Sequence, residues 1–458
     1  MTTAVTRAEG RPLLRLVSGG HRPLRVAVLG GGIGGLASAH FLAKAGHHPV
    51  VFEAARQLGG LASQFEHLGV SLDRWHHVVL EGDAELIALL GELGLADEAR
   101  WSRTDMGVLL DGCLYGCNSP LDLLRFEPLA LPDRLRTGLG VLYAGRVRQR
   151  GHDLGRVRAV DWLERVFGPR AFARLWDPLL RAAFGDRHEQ IPADWVRNLL
   201  RRVRDGSRAG NGALRCGSRG LVAALHTAVT RRGGQVRLGS PVECLDETAG
   251  GVVVTTPGGA ERFDAAVSTL ALPLLARIAR GPLAAAVPLP ALRYQGVVNA
   301  VVVSRSRLER FHWTAVMDRR VPFQGIVETT QVIPLEWVGG KHLCHLMHYG
   351  DAESAVYQRS DDVVAGQAVE GLTALYPHFR RRDVEAVYVF RAPHVEPVWS
   401  VGHLERRLAP RVGRSRLYLC TSAQAYPRVR SWNTSVAVAA EAVTCLLDDL
   451  ARARVAAG

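Results

Sequence analysis

Residues 25–53, RVAVLGGGIGGLASAHFLAKAGHHPVVFE, constrain this chain more than any other stretch. RVAVL is a short, β-rich, apolar run of the kind that forms a central parallel strand. Gly30, Gly32 and Gly35 follow in a G-x-G-x-x-G pattern, with Ile33 and Gly34 between them. A helix is predicted from about Gly34 to Ala45, with Gly46 as its stop. A second strand, PVVFE, ends at Glu53, 18 residues after Gly35. Each part has a task. Glycine allows a tight turn and close approach to a pyrophosphate, and the helix N-terminus offers that group free N–H donors and a positive dipole end. A carboxylate closing the second strand accepts ribose hydroxyls. Strand, glycines, helix, strand and acid in that order predict a dinucleotide site. Glu53 disfavours a 2′-phosphate by like charge. The same segment is also the longest apolar stretch. Its glycines and the dinucleotide reading argue against a membrane span, and no transmembrane segment is predicted.

A second glycine pair, Gly59–Gly60, opens GGLAS six residues after Glu53. With Glu53 and Ala54 before it, and Leu61, Ala62 and Ser63 after it, this string resembles the FAD fold of the glutathione-reductase type. Within it, the chain resembles the group of amine oxidases, protoporphyrinogen oxidases, phytoene desaturases and UDP-galactopyranose mutases. Many members have arginine after the doublet, where this chain has Leu61. The resemblance extends to SRGLVAALHTAVTRRGG (helix), QVRLGSPVECL (two strands), GVVVTTPGGAERF (hairpin) and DAAVSTLAL (strand), which match the returning part of that domain. There it implies an adenine contact through the backbone of Val242. The C-terminal RLYLCTSAQAYPRVRSWNTSVAVAAEAVTCLLDDL matches the last FAD motif. Ser422 stands where many relatives have an acid. Asn433, Thr434, Ser435 and Val436 open a helix expected to run to about Leu450, whose N-terminus the resemblance places at the flavin. No second glycine fingerprint, and so no dedicated nicotinamide domain, is visible.

The expected fold class is therefore α/β: a Rossmann-like FAD-binding domain interleaved with an α+β substrate domain. The boundaries read as a disordered tail over 1–22, FAD-binding segments over 23–80, 212–280 and 405–458, and substrate-domain segments over 81–211 and 281–404. The first insertion reads as helical, from DAELIALLGELGL, AVDWLERVFG and AFARLWDPLLRAAFG, and the second as strand-rich.

DRWHHVVLEGD, about a dozen residues past the doublet, holds the leading catalytic candidates. A comparable loop in UDP-galactopyranose mutases carries a histidine near the flavin. By resemblance, His77 takes that place, with His76 beside it. Neutral imidazoles there can hydrogen-bond a ligand or move a proton. Trp75 is expected to pack. Glu328 is a further candidate base, and Arg391, Tyr426 and Arg430 are candidates for holding an anionic substrate or flavin phosphate. In KHLCHLMHYG, strand alternation puts His342 and His348 on one face and His345 on the other, so no metal site is expected. Lys341 is expected in the turn before that strand.

Composition adds little. Hydrophobic residues are 47% and charged residues 22%, ordinary for a globular enzyme. The net charge of +13 comes from an arginine-rich skew, with only Lys44 and Lys341 as lysines. It permits an anionic or lipid-like small-molecule substrate or a membrane surface, and nucleic acid is not expected. Seven scattered cysteines read as reduced thiols, consistent with a cytoplasmic location, with peripheral membrane association left open. No signal sets the oligomeric state. The function expected by resemblance is FAD-dependent hydride removal from a small organic substrate, oxidising a C–N, C–O or C–C bond in a biosynthetic pathway. The alternative is a redox-neutral flavin-dependent sugar mutase or isomerase.

Overall fold

The computed structural model describes residues 22–146, 153–287, 292–318 and 320–457. Apart from Arg22, the tail expected over 1–22 lies outside them.

Strand β1 (Arg25–Leu29) is buried from Val26 to Leu29, as a strand covered on both faces must be. Helix α1 (Ile33–Lys44) crosses over to β2 (His48–Phe52), which pairs in parallel with β1. The returning segments complete a five-stranded parallel sheet in the order 235–237, β2, β1, 265–268, 417–419. On one side of it, α1 packs with the 217–230 helix and with the C-terminal helix Trp432–Ala457, which runs past the expected end. On the other lies a three-stranded antiparallel sheet, 244–248, 251–256 and 259–263.

A second sheet has seven strands in the order 384–397, 294–304, 342–350, 325–328, 311–316, 105–110, 113–116. Its last two strands come from the segment expected to be helical. Residues 105–110 pair in parallel with 311–316, and 113–116 return from them as a hairpin. The first insertion is thus mixed. Its helical reading failed here because 105–110 finds its parallel partner 206 positions downstream and 113–116 pairs back onto it. A further strand, Ala99–Ser102, pairs with Asn211–Leu214, and the helices expected there include 131–146, 159–167, 177–184 and 193–209.

Register decides what each face of this sheet presents. Val301, His345, Val327 and Trp313 align across neighbouring strands, as do Asn299, Met347 and Gly325. Facing residues of an antiparallel pair share a side, so these line the front, toward Leu61 and Trp75. Glu328 aligns with Cys344 on the back, where helix Asp361–Leu375 covers Ala300, Val302 and Leu346.

Candidate flavin site

The glycine loop joins β1 to α1 under tight steric limits. Gly30 adopts φ +105°, and a Cβ there would lie 2.3 Å from Thr269 Oγ1. A Cβ on Gly35 would lie 1.9 Å from the Gly30 carbonyl oxygen, so only glycine lets α1 approach the end of β1. The first turn of α1 has Gly32 as N-cap, no capping side chain and no acid. Its N–H donors and positive dipole end are therefore available to an anion. Glu53 sits beside this loop and accepts hydrogen bonds from the N–H groups of Gly31 (2.7 Å) and Ala55 (2.8 Å), so its carboxylate is held in place. The doublet closes against the same loop through Gly59 N–H to Gly31 O at 2.9 Å. Val242 is half-buried against the core on the far side of the sheet. Side-chain-free loops, an uncapped helix start and an anchored carboxylate fit the diphosphate and ribose of a dinucleotide.

The C-terminal helix starts differently from the sequence expectation. Ser431 caps it, accepting from the Thr434 N–H at 3.2 Å. Thr434 Oγ1 donates to Val429 O and Ser435 Oγ to Ser431 O. Asn433 turns away: its Oδ1 accepts from the Leu86 N–H and its Nδ2 donates to Glu85. It ties this helix to the 84–92 helix. The NTSV string misled because its polar residues suit caps in general, and the serine two residues earlier takes the job. Ser422 lies in a short 3-10 turn over 422–424, and Val436 is buried.

His76 and His77 lie where the doublet, the helix start and the front of the seven-stranded sheet converge. His77 donates from Nε2 to the carbonyl oxygen of Leu61 at 2.8 Å, and its ring lies 4.6 Å from that of Trp432. A neutral imidazole bonded this way keeps Nδ1 as an acceptor. Burial brings the His77 pKa down to about 4 against the opposing pull of the Leu61 bond, with nearby Arg430 adding to the fall. His76 lies 5.3 Å from Trp313 and 6.2 Å from His345, ring centre to ring centre. Burial, then the neighbouring His345, His77, His312 and Arg430, hold it well below its ordinary pKa.

Two histidines without an assigned role complete the group. Asn299 Nδ2 donates to Arg74 O at 2.7 Å and faces His345 Nδ1 at 3.0 Å. This makes Nδ1 the acceptor and puts the proton of His345 on Nε2. That Nε2 is buried without a partner. His312 Nδ1 faces Glu328 O at 3.1 Å, a bond only an N–H can make, so its Nε2 holds a lone pair and is likewise buried and unpartnered. Burial lowers the pKa of His312 to about 4 and that of His345 to about 3. The sequence signal for His345 was its opposite parity to His342 and His348. His312 had none, because the register breaks between Phe311 and Trp313.

Arg430 joins this group, as its charge on His76 and His77 shows, but it is not free for an anion. It pairs with Glu396 at 3.1 Å. Burial raises the Glu396 carboxyl against the pull of Arg430, and burial pushes the nearby Tyr349 hydroxyl up to about 12. Trp75 packs in an apolar cluster with Leu61, Trp313, Val327, Met347 and Val395.

Three candidates lie elsewhere. Glu328 is on the back face, accepting from Leu308 N–H and Thr330 Oγ1. Arg391, also on the back, bonds Asp361 and the carbonyls of Tyr357 and Arg359. Tyr426 is buried among helices with Trp399, its hydroxyl bonded to Asp194. Strand parity sends the first two away, and a residue type alone cannot show parity. Lys341 pairs with Glu385 at 2.7 Å. Among the described residues no three His, Cys, Asp or Glu side chains gather as metal ligands, and no helix is long and apolar enough to cross a membrane.

A parallel sheet with a glycine-lined, acid-free helix start and a facing second sheet defines a dinucleotide-binding flavoprotein. Residues 33–429 match the family of flavin containing amine oxidoreductases, to which this chain belongs. It is a family of FAD-dependent oxidoreductases, and FAD is the cofactor. The curated relatives are matched over 18% to 46% of their length. The 15-cis-phytoene desaturase of Capsicum annuum is 33% identical over 123 residues, 26% of this chain and 20% of that one. That of Solanum lycopersicum is 25% identical over 272 residues, 54% of this chain and 46% of that one. Among solved structures, reduced UDP-galactopyranose mutase superposes with a TM-score of 0.71 at 15% identity, over 93% of this chain and 96% of that one. Putrescine oxidase bound to putrescine gives 0.70 at 17%, over 93% and 99%. These two likenesses concern the fold.

Proposed function

We propose that the protein oxidises a neutral, largely apolar small molecule lying between the FAD site and the front of the seven-stranded sheet. The observation that carries this is the set of four imidazoles, His76, His77, His312 and His345, all held neutral by burial beside an apolar face. FAD, when bound, supplies a two-electron acceptor for hydride.

The chain's own residues do the rest. Gly30, Gly32 and the first turn of α1 hold the diphosphate, and Glu53 the adenosine ribose. His77 is fixed by Leu61 and Trp432 with Nδ1 free to accept a hydrogen bond. His345, set by Asn299, presents an N–H, and His312 presents a lone pair, so together they orient a hydroxyl or carbonyl. His76, between them and His77, accepts the proton that leaves as the substrate is oxidised. A cationic amine would want a free carboxylate, and Glu396, beside the histidines' neighbour Arg430, is paired with it. The same pairing disfavours the mutase alternative, since a sugar diphosphate would want Arg430 unpaired.

The test is anaerobic bleaching of the flavin band near 450 nm with panels of neutral and cationic substrates. Bleaching by neutral alcohols or unsaturated hydrocarbons is expected. Bleaching by polyamines alone would sink the reading.

A further inference from the structure

Two connecting segments at one end of the seven-stranded sheet bring six arginines together. Residues 305–310, RSRLER, follow the 294–304 strand, and residues 380–382, RRR, precede the 384–397 strand. Those strands pair with Ser304 against Val384, so the segments meet. The Arg305 N–H donates to Asp383 O at 2.8 Å and its guanidinium to Arg382 O at 3.3 Å, while His378 Nε2 faces Leu308 O at 2.8 Å. Arg305, Arg307, Arg310, Arg380, Arg381 and Arg382 are all exposed. The acids of the same segments turn inward. Glu309 is buried and accepts from Thr314 and Tyr376, and Asp383 accepts from the Arg380 N–H and from Ser306. Among the described residues, Arg305 alone of the six has a carboxylate within 4 Å, Glu385 at 3.6 Å, and Glu385 also holds Lys341. Arg307 bonds only neutral groups, Glu309 O and Gln331. Crowded like charges repel, and that cost falls when opposite charge docks against them.

We infer that this end of the sheet docks a partner protein through an acidic face of that partner, with its carboxylates pairing with the guanidinium groups. The chemistry of the patch selects this occupant. Neither segment has an exposed large hydrophobic side chain to enter a bilayer. The neighbouring rings of Phe311, Tyr376 and Phe379 are buried, which leaves none of them to stack on a nucleic-acid base. A second copy of the chain would present the same positive patch and be repelled. Arg310 stands two residues before His312, so a docked partner sits at the end of a strand that carries one of the front-face imidazoles.

The test is fluorescence anisotropy of a labelled poly-glutamate peptide titrated with holoenzyme, beside a labelled single-stranded oligonucleotide of equal charge. The peptide should bind, and added salt should weaken the binding. Arg381→Gln/Arg382→Gln should weaken it about tenfold, because two exposed ion pairs are lost. Arg231→Gln/Arg232→Gln removes the same charge from exposed positions after the 217–230 helix of the flavin domain, and should weaken it less than about twofold. The flavin band and melting temperature should stay unchanged in both variants. Equal weakening by the two pairs assigns the binding to net charge and overturns the inference. Absence of peptide binding overturns it, as does tighter binding of the oligonucleotide through the same arginines. If the Arg381/Arg382 variant melts early, Arg310→Gln takes its place, with a loss of about threefold expected. Binding is read without turnover, so the result is independent of the function proposed above.

Discussion

The two faces of the seven-stranded sheet both carry buried titratable groups, in opposite condition. On the back, Glu309 accepts from Thr314 and Tyr376, and Glu328 from Thr330 and Leu308. Both oxygens of Glu328 and Oε1 of Glu309 are engaged, Glu309 Oε2 is buried without a partner, and burial raises both carboxyls, Glu328 to about 7. On the front, burial lowers the imidazoles, and His312 and His345 each keep one nitrogen with no partner. Burial alone therefore does not mark a site. What distinguishes the front is that its unpartnered atoms gather, on His312, His345 and Asn299 beside His76, where one ligand can return the free energy that an orphaned buried polar atom costs.

That contrast can be broken by substitution. The largest effect is expected at His76. Its replacement by Ala should lower kcat by about 100-fold with the flavin band intact, if a general base is lost. A variant with full turnover removes His76 from the mechanism. At His345 the expected loss is about tenfold and falls mainly on KM, since it orients substrate through one hydrogen bond.

Asn299 sharpens the argument because it sets the His345 tautomer while its other bond is to the Arg74 backbone. Asn299→Asp places a carboxylate at His345 Nδ1, which favours the imidazolium. The acid limb of the pH–rate profile should move to higher pH, whereas a packing defect would lower rates at every pH.

The faces should also part in their pH-dependent stability. His312 and His345 have folded pKa values of about 4 and 3, below the ordinary 6.5. The unfolded chain binds more protons, so their contribution is complete above pH 6.5 and is lost as pH falls toward those values. Glu328, raised to about 7 from 4.5, acts in the opposite sense, costing stability as pH rises through that window. Glu328→Gln should therefore leave activity unchanged. It should raise stability at pH 8.5 by about 2 kcal/mol relative to its effect at pH 5, read from thermal melts. A large loss of turnover would return Glu328 to the active site.

The glycine loop, α1 and Glu53 were legible because every part lies within 29 consecutive residues and each signal is local. The string holding His77 was conspicuous for the same reason, a short distance past the doublet, and its ring lies against Leu61 and Trp432. Arg430 was recognised, but its partner Glu396, 34 residues earlier, was not. Glu328 and Arg391 were attractive by type, and the strand register puts both on the back face.

By itself the sequence determined the dinucleotide half of this protein, since turn sterics and helix starts depend on neighbours in the chain. Only the tertiary structure decided the other half. His345 meets His76 across 269 positions because the 294–304 and 342–350 strands pair in one register. A slip of one residue would turn His345 to the back and Cys344 to the front.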